Sequence, residues 1–319
     1  MSPRLRKALF TALTALVVVG GAELALRAAG TPPAYVRTDL ARWTPKSFMR
    51  DVQLPNTQAG VPFTVSTNGD ALRTPHGRGE GLRIWLGGDS TVFGWGVDDT
   101  QTLPAALERA LAGFPELRAL QVVNGGQPSA STWMAARLAR DLAPAYGVDL
   151  TVMFVPYHDD FPTMLSDREY LEGPLPPLRA FLGLRWRGFA ALTRALRGGR
   201  SLGLTPRVPD ADRAEALAAL SPAPAVGLLP TPSTLGVPGE TNRSAATEAA
   251  VRTLAEDEGW LFVDLRDVDA GVFPTDTAHF TAEGNAALAA ALAEALRPRL
   301  GAMPEMLRGE RPAQEVEPR

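Results

Sequence analysis

Residues 82–97 read "LRIWLGGDSTVFGWGV": an apolar run, two glycines, then Asp89, Ser90 and Thr91. The run is too short for a helix of its own and is closed by glycine, so it reads as a strand buried on both faces. The polar triplet then opens the next element. A serine in that place has two readings, a cap in a tight strand-to-helix turn or a nucleophile. The choice depends on whether the rest of the chain brings partners to it.

Four further runs of the same kind lie downstream: "LQVVNGG" (120–126), "LTVMFVP" (150–156), "AVGLLP" (225–230) and "WLFVDL" (260–265). Helical patterns separate most of them. "TLPAALERALAGF" begins with Thr102 as a cap and Pro104 in its first turn. "STWMAARLARDLAPAY", "TNRSAATEAAVRTLAEDEG" and "TAEGNAALAAALAEALRPRL" follow in their turn. Short buried strands alternating with helices predict an α/β fold, a three-layer α/β/α sandwich around a five-stranded, mostly parallel sheet of flavodoxin-like type. Residues 81–300 form this domain, after an extension at 30–80 in which "VPFTVSTNGDALRTP" reads as a hairpin or edge strand about Asn68–Gly69. Residues 161–224 are too long for a simple crossover and read as an insert or lid. Within them, six arginines and no acid fall between Arg179 and Arg200, beside an apolar stripe at helical spacing. That is either a helix packed on the domain with a solvated basic face, or a surface that meets an anionic lipid or polymer. Residues 301–319 read as a disordered tail.

The 319 residues are 45% apolar and 21% charged, ordinary for a globular chain, and the net charge of −3 argues against a nucleic-acid partner. The absence of cysteine excludes disulfides, thiolate zinc sites, a cysteine nucleophile and a lipoprotein anchor. Imidazole chemistry is confined to His76, His158 and His279. At the N-terminus, Arg4, Arg6 and Lys7 precede an apolar stretch from Ala8 to Ala22, which marks residues 1–29 as a signal anchor or a cleaved signal peptide, with a buried core helix as the bland alternative to both. The run is shorter than the roughly 20 residues of a comfortable span unless Glu23 sits near one interface. Either reading places the domain outside the cytoplasm, on the periplasmic side of an inner membrane or secreted.

In an open parallel sheet, ligands sit at the carboxyl ends of the strands. Four separate segments bring polar groups there: Asp89 and Ser90 after the first strand, Gly126 after the second, His158, Asp159 and Asp160 after the third, Asp276 and His279 after the fifth. Ser90 is a weak nucleophile until a base takes its proton, and His279 is the natural base. Asp276, three residues earlier, can orient and stabilise the imidazolium. The backbone N–H groups of Ser90 and Gly126 are candidate oxyanion donors. The bland alternatives are a capping serine, a helix-start aspartate with a surface histidine, and a glycine that merely permits a turn. Asn124 reads as a loop anchor.

"GGDSTVFGWGV" together with "DTAHFTAEG" resembles the SGNH (GDSL) hydrolase superfamily over roughly residues 60–300, and "TNGDALRTP" and "VVNGGQPSAS" resemble its membrane-anchored bacterial members. The resemblance implies a serine esterase with Ser90 as nucleophile, Asp89 as its neighbour, Gly126 as an oxyanion donor, and Asp276 and His279 as the charge-bearing pair. One position departs. Where the family has G-x-N-D with the Asn as third oxyanion donor, this chain reads Pro156-Tyr157-His158-Asp159. His158 can donate one N–H, and is the third candidate donor, with Asp159 in support. The expected activity is hydrolysis of an acetyl or acyl ester through an acyl-serine. The alternatives are an O-acyltransferase on a cell-envelope polysaccharide and a non-catalytic binding module of the same fold. An ester-bearing small molecule, lipid or polysaccharide is the implied partner, with the membrane met through the N-terminal helix. The chemistry calls for no cofactor and no metal.

Overall fold

A computed structural model describes residues 2–29, 47–55, 62–79, 82–117, 119–163, 166–172, 205–230, 244–273 and 278–301. The chain divides into two compact units, Met1–Thr38 with Pro162–Arg207, and Asp39–Phe161 with Val208–Arg319.

The second unit holds the sheet. Its five strands are β3 (Arg83–Gly88), β4 (Gln121–Gly126), β5 (Leu150–Phe154), β8 (Ala225–Leu228) and β9 (Leu261–Asp264), in the spatial order β4-β3-β5-β8-β9 with every pairing parallel. In order of appearance this is 2-1-3-4-5, the flavodoxin-like arrangement, in which the chain reverses direction across the sheet beside the first strand. β3, β4, β5 and β8 are buried almost throughout, which is why the sequence shows them as continuous apolar runs rather than alternations. Alternate residues serve opposite layers. Ile84 and Leu86 pack with α3 (Leu103–Ala112) and α8 (Ala282–Gly301), whereas Trp85, Val123, Met153 and Val226 pack with α4 (Thr132–Leu142), α6 (Asp210–Ala218) and α7 (Ala245–Asp257). Hydroxyls cap helices of this unit: Thr102 accepts from Ala105 N–H, Ser131 from Met134 N–H and Ser244 from Thr247 N–H.

Two expectations change. The extension does form antiparallel structure, but β2 (Phe63–Val65) pairs with β1 (Val52–Leu54), not with residues beyond Asn68–Gly69. A turn does stand at Asn68, whose side-chain oxygen accepts the N–H groups of Asp70 and Leu72. No strand follows it, because Leu72 and Arg73 turn inward and are buried. The expected insert also ends early. Residues from Val208 onward belong to the sheet unit, where α6 packs on α4. The arginine-rich stretch 179–200 and the tail 302–319 lie outside the described residues.

Within this unit the extension is tied down by Tyr146, which is 1% exposed. Its hydroxyl donates to Asp70 (2.9 Å) and accepts from the Asn68 amide (2.7 Å). Burial and the bond to Asp70 push the phenol from 10.0 up to about 12. The folded protein therefore keeps a proton that the unfolded chain releases above pH 10, so this group's stabilisation is complete below that pH and is lost as pH rises toward 12. The expected result is a urea midpoint that falls over that window in the wild type and falls less in Tyr146→Phe.

The first unit, described by itself, contains α1 (Pro3–Ala28), α5 (Asp167–Glu172) and the two-residue pair β6 (Pro162–Thr163) with β7 (Thr205–Pro206). Asp167, fully buried, is bound by Arg207 at 2.9 Å. α1 is 26 residues long with a mean hydropathy of 2.0 over its most apolar window, long and apolar enough to cross a membrane. Leu9, Phe10, Leu13, Val17 and Val18 are all exposed on it. Its acid, Glu23, is paired with Arg27 one turn on, at 2.8 Å.

Candidate active site

β3 ends at Gly88 and the chain turns at Asp89 into α2 (Ser90–Phe93), a single helical turn. Asp89 caps it, its Oδ1 accepting both the N–H and the hydroxyl of Thr91. Ser90 is the first residue of the turn, where a backbone N–H has no intrahelical acceptor. Gly94, at φ 84°, ends the turn in a left-handed conformation, and a Cβ there would lie 2.4 Å from the Thr102 side chain.

Ser90 Oγ lies 2.8 Å from Nε2 of His279, across 189 positions of sequence. The histidine is set by an antiparallel bridge between Val272 and Phe280 on either side of its loop, and by Thr281 N–H donating to Gly271 O at 2.9 Å. Thr281 then opens α8, accepting from Gly284 N–H (3.1 Å), and Asn285 of α8 ties back to Gln101 O just before α3. Ser90 on α2 and His279 ahead of α8 are thus held beside helices that both pack on α3. Asp276, expected behind His279, falls in residues 274–277, outside the described residues.

The other expected donors turn elsewhere. Gly126 N–H donates to Asn124 Oδ1 of its own strand at 3.0 Å. Gly126 is needed for a different reason: a Cβ on it would lie 2.2 Å from Phe93 N and 2.6 Å from the Val92 carbonyl carbon, so β4 and α2 touch backbone to backbone. Asn124 also donates to Phe93 O at 3.3 Å, which makes it the anchor expected. The ring of His158, the third expected donor, is bonded elsewhere. Nε2 lies 2.7 Å from Ala130 O and Nδ1 3.4 Å from Asp89 Oδ2. Asp159, with no exposed surface, holds the start of α4 through Thr132 N–H (3.0 Å) and pairs with Arg213 at 3.4 Å. Asp160 accepts from Ser244 N–H and the Thr247 hydroxyl at the start of α7. These two carboxylates serve helix starts. Among the described residues, no group of three His, Asp or Glu side chains is placed to hold a metal ion.

One residue of the site was not foreseen. Arg73, from the extension, is 3% exposed and lies beneath the carboxyl end of α2. Its guanidinium donates to the carbonyls of Phe93 (3.2 Å), Gly94 (2.6 Å), Val97 (2.6 Å) and Thr64 (2.7 Å), and to Asp99 at 2.7 Å. A cation at this end complements the helix dipole and satisfies carbonyls that the turn leaves open. The only trace in sequence is a lone Arg in "DALRTP", where its neighbours Leu72 and Thr74 are themselves buried.

A cavity of about 570 Å³ opens elsewhere in the unit, between the extension and α3, with Phe48, Arg50, His76, Glu108 and Arg109 on its wall. Ser90 and His279 do not line it. Asn124 does, on the strand that ends at Gly126.

No family model matches the chain, and no curated protein matches it. Solved structures that resemble it include a carbohydrate acetylesterase from Sinorhizobium meliloti, 16% identical over 68% of this chain and 99% of that one, with a TM-score of 0.41. A lipase/acylhydrolase from Enterococcus faecalis is 15% identical over 68% of this chain and 96% of that one, TM-score 0.44. A putative arylesterase from Agrobacterium tumefaciens is 20% identical over 68% and 99%, TM-score 0.38.

Proposed function

We propose that this chain is a serine hydrolase of SGNH type that cleaves an ester through an acyl-Ser90 intermediate. The observation that carries the reading is the 2.8 Å contact between Ser90 Oγ and His279 Nε2 at the carboxyl end of a central parallel strand. His279 takes the hydroxyl proton as Oγ attacks the ester carbonyl, then returns it to the leaving alcohol. Water then attacks the acyl-serine by the same route, and the products are a carboxylic acid and free Ser90. Asp276 is the proposed partner of His279 Nδ1, and the unbonded end of α2, at Ser90 N–H, the first oxyanion donor. The length and apolarity of α1 support a membrane tether and a site of action outside the cytoplasm.

A second reading, a binding module that keeps the fold without catalysis, is favoured by two expected donors that are bonded elsewhere, Gly126 N–H to Asn124 and the His158 ring to Ala130. Fluorophosphonate labelling of the full-length protein in detergent, followed by mass spectrometry of the modified peptide, separates the two. The hydrolase reading expects an adduct on Ser90 that is absent in Ser90→Ala and about 10²-fold or more slower in His279→Ala. A folded wild type that takes no adduct supports the binding module instead. With an activated acyl ester as donor, adding a sugar alcohol as acceptor then distinguishes transfer from hydrolysis by the product formed.

A further inference from the structure

The cavity beside α3 carries features that a packing gap lacks. At about 570 Å³ it is large enough for a small organic molecule. Part of its wall is held firmly, because residues that line it also hold the nucleophile turn. Arg73 binds the Phe93 and Gly94 carbonyls, Asn124 donates to Phe93 O, and the Thr102 side chain packs where Gly94 has no Cβ. The charges on the wall are uneven. Asp99 is bound by Arg73 at 2.7 Å, and Glu108 lies 2.7 Å from His76 Nε2 while accepting from Val122 N–H. Two further cations line the cavity. Among the described residues, Arg109 has no carboxylate partner and donates to the Thr100 carbonyl at 2.6 Å, and Arg50 makes no hydrogen bond or ion pair.

The segment that presents Arg50 is strained. Phe48 (φ 57°) and Asp51 (φ 47°) both stand in the left-handed region, which a phenylalanine adopts only at a cost. Hydrogen bonds hold the segment there: Phe48 N–H donates to Asn68 O, Met49 N–H to Thr67 Oγ1 and Asp51 N–H to Ser66 Oγ. The ring of Phe48 lies over Gly69, where a Cβ would be 2.8 Å from Phe48 Cζ, and the residue is 73% exposed. Among the described residues no large apolar side chain is more exposed. Backbone strain thus sets an uncovered aromatic ring and an unpaired cation two residues apart on the wall of one cavity.

We propose that the cavity between the extension and α3 is a binding site for a small organic acid, its carboxylate recognised by Arg50 and Arg109 and its apolar body by Phe48. A guanidinium matches the two oxygens of a carboxylate, and here the wall's own carboxylates, Asp99 and Glu108, already have partners. The ring supplies apolar surface that the fold itself leaves uncovered. The proposal does not rest on the hydrolase reading, since Ser90 and His279 do not line this cavity.

The test titrates the full-length protein in phosphatidylcholine nanodiscs with para-trifluoromethylbenzoate, followed by ¹⁹F line broadening, with empty nanodiscs as the blank. Saturable binding at about 1 mM or tighter is expected for a probe of this size. The matching benzamide keeps the apolar body without the charge and is expected to bind about tenfold more weakly or worse. Arg50 and Phe48 are both exposed, so their substitution leaves the fold intact. Arg50→Gln is expected to weaken the acid about tenfold and Phe48→Ala severalfold. The histidines report the location, since His76 lines the cavity and His279 contacts Ser90. With histidine-selective ¹³C labelling, and His76→Gln and His279→Gln for assignment, saturating acid is expected to shift the His76 ring signals and leave those of His279 in place. Shifts at His279 without His76 would put the acid at the Ser90 site and overturn the proposal. It is equally overturned by a wild type that shows no saturable binding, by an acid that binds no better than its amide, or by binding that Arg50→Gln leaves unchanged.

Discussion

Gly126→Ala is expected to slow labelling of Ser90 by about two orders of magnitude, the loss that follows when a reacting group is misplaced by roughly 1 Å. The added methyl would meet backbone, at 2.2 Å from Phe93 N and 2.6 Å from the Val92 carbonyl carbon, so no rotamer change relieves it. α2 has to move away from β4, and Ser90 moves with it out of the 2.8 Å contact with His279. Overpacking of this kind destabilises by about 1–3 kcal/mol, which the whole unit survives. The expected combination is thus a modest fall in the denaturation midpoint with a large fall in labelling rate. Gly77→Ala is the comparison, since a Cβ at that position meets no atom within 4 Å, and it is expected to match wild type in both measurements. A Gly126→Ala protein that labels at the wild-type rate would mean that the close approach of β4 does not set the position of α2.

Arg73→Met is expected to be the most destabilising substitution in the extension, by about 3 kcal/mol or more, because several buried carbonyls lose their donor at about 1–3 kcal/mol each. It removes the donor from four carbonyls and from Asp99 in one step, and methionine fills the stem's volume without replacing a single bond. Arg73→Lys keeps the charge, but one ammonium cannot reach acceptors arranged around a planar fork, so little of the loss is recovered. Chemical denaturation followed by tryptophan fluorescence measures both. Arg78→Ala, which breaks an exposed pair with Asp70, provides the contrast and is expected to shift the midpoint far less. Equal effects from Arg73 and Arg78 would show that burial of the guanidinium is not what makes Arg73 matter.

The strands were legible because burial on both faces leaves an unbroken apolar run, and each run met a strand within a few residues of its expected bounds. The meeting of Ser90 with His279 was legible for a topological reason: parallel strands deliver their carboxyl ends to one edge, so residues far apart in sequence arrive together. Hydrogen-bond direction was not. Whether Gly126 N–H faces a ligand or Asn124 depends on one side-chain rotamer, and composition carries no trace of it. His158 is similar, because its partners, Ala130 and Asp89, are 28 and 69 positions away. The hairpin about Asn68–Gly69 was a local reading that a tertiary demand overrode. Arg73 had to reach α2, and the chain that carries it cannot also run back along β2. A charged residue inside a core leaves no periodicity to read, which is why the clamp on α2 appears only in three dimensions.

The 189 residues between Ser90 and His279 also have a meaning in time. A ribosome adds about 5–20 residues per second, so roughly 10–40 s pass between the emergence of Ser90 and that of His279. During that interval β3 and β4 can pair and α2 can form, yet the serine has no partner to activate it. α8, which follows His279 directly, closes the layer against α3. For the proposed hydrolase, chemical competence therefore arrives only once His279 and α8 are made, and a chain interrupted before them is expected to be inert.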